Sequence, residues 1–185
     1  MRILTVRQPW AWAIIHGGKN VENRVRNIAG DYRGPVAIHA AQANDVEAWA
    51  KLGRLSLFSY GLALDARESL IGGAIIGVVD LVDVHRPLWD NSCDGERVCS
   101  PWAEVDGWPH HLVLATPRAL AEPITYRGAL GLRRLDDAAT ARILTQLGEP
   151  ACPECRDGKH RNCTGWALDA DDKMVPCHCD HGGRS

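Results

Sequence analysis

Along the first third of the chain the spacing of apolar residues switches between two periods. Ile3 to Arg7 and Pro35 to Ala40 read as short strands. In the second, Val36, Ile38 and Ala40 alternate with Ala37 and His39, so His39 points away from the Val36 face. Between them Trp10, Ala13, Ile14 and Gly17 recur at i, i+3, i+4 and i+7, which predicts a short amphipathic helix. Pro9 suits its first position because proline has no N–H to leave unpaired, and Gly17-Gly18 suits its end. If Asn20 to Arg26 is then extended, Glu22, Arg24 and Arg26 share one face and Val21, Asn23 and Val25 the other. Asn44 is placed to cap a helix carrying Val46, Trp49 and Ala50, which Gly53 would stop, and residues 54–71 show no clear period.

Gly73 to Val84 is the strongest strand, too apolar to be half exposed, and Gly77 invites a bend or bulge. From His85 to Pro109 the pattern dissolves into Pro, Asp, Gly, Cys and Trp, a loop long enough to carry function. His111 to Ala115 and Leu120 to Tyr126 resume as strands joined at Thr116-Pro117, and Leu130 to Leu135 adds another. Asp136 then caps a helix through Leu147, with Ile143, Leu144 and Leu147 on one stripe, and Gly148 and Pro150 stop it. Short strands with intervening short helices predict an α+β fold: a small closed or nearly closed β-barrel over residues 1–148, flanked by helices. Residues 149–185 read as a separate appendage.

Charge changes this picture by its placement. The net charge is −2, which argues against a protein that coats duplex nucleic acid. Yet residues 1–42 hold six Lys/Arg against two Asp/Glu, so an anionic partner would meet a local basic site. Lys19, Glu22 and Arg24 are its centre. The bland alternative is a solvated ion-pair cluster on a barrel rim. The functional one is a recognition pocket, in which Lys19 and Arg24 hold phosphate and Glu22 accepts from an exocyclic amine of a base. Arg7, Gln8 and His39 are nearby candidates. Trp10 is a further nearby candidate whose helix position favours the core, whereas Trp102 and Trp108, in the long loop, are better placed as a stacking lid.

The last segment has its own chemistry. Cys152-x2-Cys155, His160, Cys163, Cys177 and Cys179 crowd a stretch too short to build an apolar core, so bound Zn2+ is expected to supply its folding energy. Either Cys152, Cys155, His160 and Cys163 form a knuckle-like set, or Cys152 and Cys155 pair with Cys177 and Cys179; eight Cys/His could serve two ions. Cys93 and Cys99, five intervening residues apart in the long loop, read as unliganded. No apolar run reaches a membrane span and the N-terminus is no signal peptide, so seven cysteines point to thiols or metal in a cytoplasmic protein.

The first two dozen residues also carry a resemblance. Gly17-Gly18-Lys19-Asn20-Val21-Glu22-Asn23-Arg24 keeps every fixed position of G-x-K-x-x-E-x-R, the signature of the ASCH domain family, β-barrels related to PUA domains. Arg7-Gln8-Pro9-Trp10 before it, then Gly34 to Ala40, Gly73 to Asp80 and His111 to Leu114, extend the resemblance to about Leu135. It implies recognition of RNA or a modified nucleotide, with single-stranded RNA or DNA as partner. The tail is left free for a protein partner, and an adaptor role is a third reading. It also implies a rival, a nucleotide-directed hydrolase using Lys19, Glu22 and Arg24. Some small members are amidohydrolases that use a lysine and a threonine three positions later. Lys19 fits the lysine, but Glu22 stands where the hydroxyl would be. A ribonuclease centre would need only the lysine, glutamate and arginine.

Overall fold

The computed structural model describes residues 1–45, 70–93, 97–106, 110–148, 154, 163–168 and 173–177. Strands β1 (Arg2–Gln8), β2 (Val21–Arg24), β3 (Gly34–Asn44), β4 (Ala74–His85), β5 (His110–Thr125) and β6 (Leu132–Arg134) form one mixed sheet in the order β2-β5-β4-β3-β1-β6. Only the β1–β3 pair is parallel; the other neighbours run antiparallel. Helix α1 (Trp10–His16) forms the connection between β1 and β2, and α2 (Asp137–Gln146) follows β6. Among the described residues the curled sheet is a half-barrel with two short helices, an α+β architecture as the pattern predicts and PUA-like as the resemblance implies. The helix anticipated after Asn44 lies outside the described residues.

Both faces of the sheet are covered, and the alternation along each strand decides what goes where. Ile3, Ala37, Ile75 and Val78 face α2, packing with Ile143, Leu144, Leu135 and Ile124. Their neighbours Leu4, Val36, Ile38, Ile76 and Val79 face α1, packing with Ala11, Ile14 and Ile15. Each such side chain removed from water contributes about 1.5–3 kcal/mol. Asp136 caps α2 as its sequence suggests, its carboxylate accepting from Ala139 N at 2.7 Å.

Gly77 explains how α1 comes so close. A Cβ there would meet Ile15 Cδ1 at 2.6 Å and Arg118 O at 2.7 Å, and the β3–β4 and β4–β5 registers both slip beside it. The expected bend is thus a place where helix and sheet touch. Two boundaries differ from expectation. Residues 110–125 form one strand, not two: Thr116 takes φ +49° and the turn signal at Thr116-Pro117 is absorbed as an irregularity. At the end of α1 it is Gly18, at φ +70°, that adopts the left-handed conformation, while Gly17 is needed for space against Ala13.

The described part of the tail is a two-stranded hairpin, β7 (Trp166–Leu168) with β8 (Met174–Pro176). Ala167 is buried in the α2-side cluster, and Cys163 and Cys177 pack against it. No described helix is long and apolar enough to cross a membrane.

Candidate functional site

The G-x-K-x-x-E-x-R segment is folded so that its charges turn inward. Gln8, itself buried, uses its amide twice: Oε1 accepts from Trp12 N at 3.0 Å and Nε2 donates to Ile71 O at 2.9 Å. That fixes the start of α1 and hence Trp10. At the other end Lys19 N donates to Ala13 O at 2.9 Å, which aims the Lys19 side chain back beneath the helix. Strand β2 ends at Arg24, so Glu22 and Arg24 share a face as expected while Arg26 falls beyond it.

Lys19 and Glu22 are both buried, 5% and 9% exposed, an unusual position for either residue type. Glu22 lies between two cations: Oε2 is 3.3 Å from Lys19 Nζ and Oε1 is 3.0 Å from Arg24 Nη2. Lys19 also donates to the Val21 carbonyl. Burial pulls the Lys19 ammonium below the ordinary lysine range, opposed by the Glu22 carboxylate. Its charge is nonetheless shielded by aromatic faces, with Nζ 5.7 Å from the Trp10 ring centre and 5.9 Å from that of Trp102. The two indoles meet edge to face at 6.2 Å.

These groups line a cavity of about 1050 Å³ whose other walls include Thr5, Arg7, Asn23, Asp45, Glu104 and Leu130. Of the residues singled out from sequence, Arg7, Lys19, Glu22, Arg24 and Trp102 therefore converge on one space. Trp10, a nearby candidate whose helix position favours the core, joins them there. Gln8 and His39 are not in the lining. Gln8 braces α1, and His39 is buried with Nε2 at 2.9 Å from Tyr126 O. Trp108, Cys152, Cys155, His160 and Cys179 lie outside the described residues. Cys163 and Cys177 approach one end of the tail hairpin: Cys163 Sγ accepts from Gly165 N at 3.2 Å, and Cys177 N donates to Gly165 O at 2.9 Å.

Sequence reasoning missed Asn23 and Glu104. Asn23 holds the long loop onto β2, donating from Nδ2 to Trp102 O at 2.9 Å and accepting at Oδ1 from Glu104 N at 3.0 Å. Alternation along β2 places it opposite Glu22, yet it lines the same cavity, and nothing in a lone asparagine announces a loop partner about eighty residues away. Also missed was a second cluster, on the far side of that loop. One donor atom from each of His85, Cys93, Cys99 and His111 lies within 4.8 Å of the others, an arrangement able to hold a metal ion. His85 and His111 are directly paired across β4 and β5, so the sheet register brings them together.

No curated protein matches the chain. Among solved structures it is similar to ASCH from Zymomonas mobilis, at 14% identity over 78% of this chain and 93% of that one, with a TM-score of 0.44. A point mutant of the same ZmASCH protein aligns at 16% identity over 78% of this chain and 96% of that one, with a TM-score of 0.47. A family model, described as the ASCH domain, matches residues 4–124. That match runs from β1 into the end of β5, includes the buried Lys19 and Glu22 and the half-buried Arg24, and spans well over half the sequence. The chain belongs to the ASCH domain family, whose PUA-like fold is often linked to RNA binding.

Proposed function

We propose that this protein recognises a nucleotide of single-stranded RNA, or a free modified nucleotide, in the cavity between α1, β2 and the long loop. The observation that carries this reading is a buried Lys19–Glu22 pair, extended by the half-buried Arg24, beside two perpendicular indoles. Buried charges are costly unless paired, and a pair replaced by apolar residues would often be as stable. Keeping a buried lysine–glutamate pair and a half-buried arginine around a cavity of this size is better explained by a ligand than by stability. Arg7, exposed at the rim, and Arg24 supply charge for phosphate; Trp10 and Trp102 supply stacking surface. Glu22 gives one interaction per oxygen to the cations, and a carboxylate has further lone pairs to accept from an exocyclic amine. The basic surplus is confined to the N-terminal part of the chain, which suits a few phosphates of an unstacked strand. A reducing, cytoplasmic setting fits the described cysteines, none of which is in a disulfide.

Competition with single nucleosides on the wild type and Glu22→Gln tests the reading. Cytidine and adenosine should compete better than uridine against wild type, and the preference should relax in Glu22→Gln. Identical preferences in both proteins would remove Glu22 from recognition, and absence of any nucleotide or RNA binding would overturn the function.

One observation favours a second reading, a nucleotide-directed hydrolase. A buried lysine with a lowered pKa beside a carboxylate is a general-base arrangement. Turnover of labelled RNA or acylated cytidine by the wild type and its loss in Lys19→Met, with binding retained, would establish that reading instead.

A further inference from the structure

We propose that His85, Cys93, Cys99 and His111 form a structural zinc site that fastens the long loop to the sheet. Each imidazole has one nitrogen held by an oxygen outside the cluster. His111 Nε2 is 2.9 Å from the Glu104 carbonyl, which can only accept, so Nε2 carries the proton and Nδ1 keeps its lone pair. That Nδ1 faces both thiols, 3.4 Å from Cys93 Sγ and 3.4 Å from Cys99 Sγ. His85 repeats the pattern with the other nitrogen. Its Nδ1 is 2.7 Å from Asp83 Oδ2, and its Nε2 is buried with no hydrogen-bond partner. One nitrogen from each imidazole and two sulfurs therefore converge, every donor within 4.8 Å of the others.

Without a cation this is a poor arrangement: one lone pair faces two S–H groups and another faces nothing. With zinc, each donor has a partner. In a tetrahedral site with Zn–S about 2.3 Å and Zn–N about 2.1 Å, sulfur and nitrogen ligands lie about 3.6 Å apart, close to the separations seen. Two thiolates balance the ion's charge. The far nitrogens are held by a carboxylate and a backbone carbonyl, the outer contacts that orient zinc-binding histidines. Four protein donors leave no open position, so the site is structural and not catalytic.

Its consequence reaches the cavity through the chain. Ser100, next to Cys99, bonds to Asn20 Oδ1 at 2.5 Å and accepts from Trp102 N at 3.1 Å; Glu104, whose carbonyl holds His111, lines the cavity. Zinc would thus fix the segment that sets Trp102 against Trp10. The proposal does not depend on the nucleotide reading, and its tests involve no nucleotide.

Residue-resolved alkylation of the full wild-type chain, with zinc and after chelation, separates it from the tail. Cys93 and Cys99 should be protected with zinc and modified after its removal, whatever happens at Cys163 and Cys177. Equal modification of Cys93 and Cys99 in both conditions would overturn the proposal. Bound zinc per chain should fall by one in Cys93→Ser/Cys99→Ser, and an unchanged count would also overturn it. Asp83→Asn, which keeps all four ligands, should weaken zinc roughly tenfold or more. If the double variant fails to fold, the wild-type alkylation result decides.

Discussion

Two polar clusters among the described residues share one loop, and they are built in opposite ways. Lys19, Glu22 and Arg24 come from six consecutive residues, and a helix end followed by a strand is enough to bring their charges together. His85, Cys93, Cys99 and His111 come from two strands and the loop between them, and meet only because β4 pairs with β5 in a register that sets His85 opposite His111. The first cluster is a local motif closed by a distant aromatic, Trp102. The second is a distant assembly with no local motif at all. Between them runs Asn23, which pairs with His111 in the sheet and holds Trp102 and Glu104 with its side chain.

The sharpest way to break the first cluster is to remove its buried cation. Lys19→Met leaves Glu22 with Arg24 alone and should destabilise the fold by about 3 kcal/mol or more in denaturant unfolding. Adding Glu22→Gln should recover part of that loss, because the remaining buried charge is then gone. pH separates the roles of Lys19 further. Its folded pKa lies below its unfolded value, so the unfolded chain binds the extra proton in that window and Lys19's contribution to stability rises as pH increases through it. Anion affinity should fall over the same window as the ammonium is lost. Lys19→Arg, which stays charged, should show neither change when stability and phosphate affinity are titrated in parallel.

Asn23→Ala tests whether the loop joins the clusters. Losing two hydrogen bonds to loop backbone should cost about 1–3 kcal/mol and lower nucleotide affinity while zinc content, measured on the same protein, stays unchanged. Loss of zinc as well would mean that the loop is held from the cavity side first. Asp136→Ala, remote from both clusters, should cost about 1 kcal/mol through the lost helix cap with no change in ligand or metal binding. Arg7→Ala should be the mildest, no more than about fivefold on anion affinity, since an exposed charge contributes about 1 kcal/mol or less.

What could be read from the sequence follows the same division. Period and punctuation located β1, α1, β3, β4 and α2, because those elements depend on residues within a few positions of one another. The Thr116-Pro117 signal misled, since a bulge with a positive φ lets one long strand pass through a turn-like dipeptide. In the cavity, the contiguous charges were legible, and so was Trp102 as a loop aromatic. Trp10 was legible only as a candidate with the core favoured, because helix periodicity cannot tell a core-facing indole from one that borders a cavity. Cys93 and Cys99 gave no signal, since their histidine partners are supplied by strand register, which a spacing pattern does not encode. Zinc was expected only in the tail, where the ligands are close in sequence.

The tail hairpin leaves one consequence for handling the molecule. Ala167 is 3% exposed and sits among Ile3, Leu135, Ile143 and Leu144, so the hairpin roofs part of the barrel's own interior. Cutting the chain after Gly148 would uncover an oily strip on the α2 side. A fragment made that way should self-associate or precipitate where the whole chain does not, and the shortest well-behaved expression product should extend at least through Cys177.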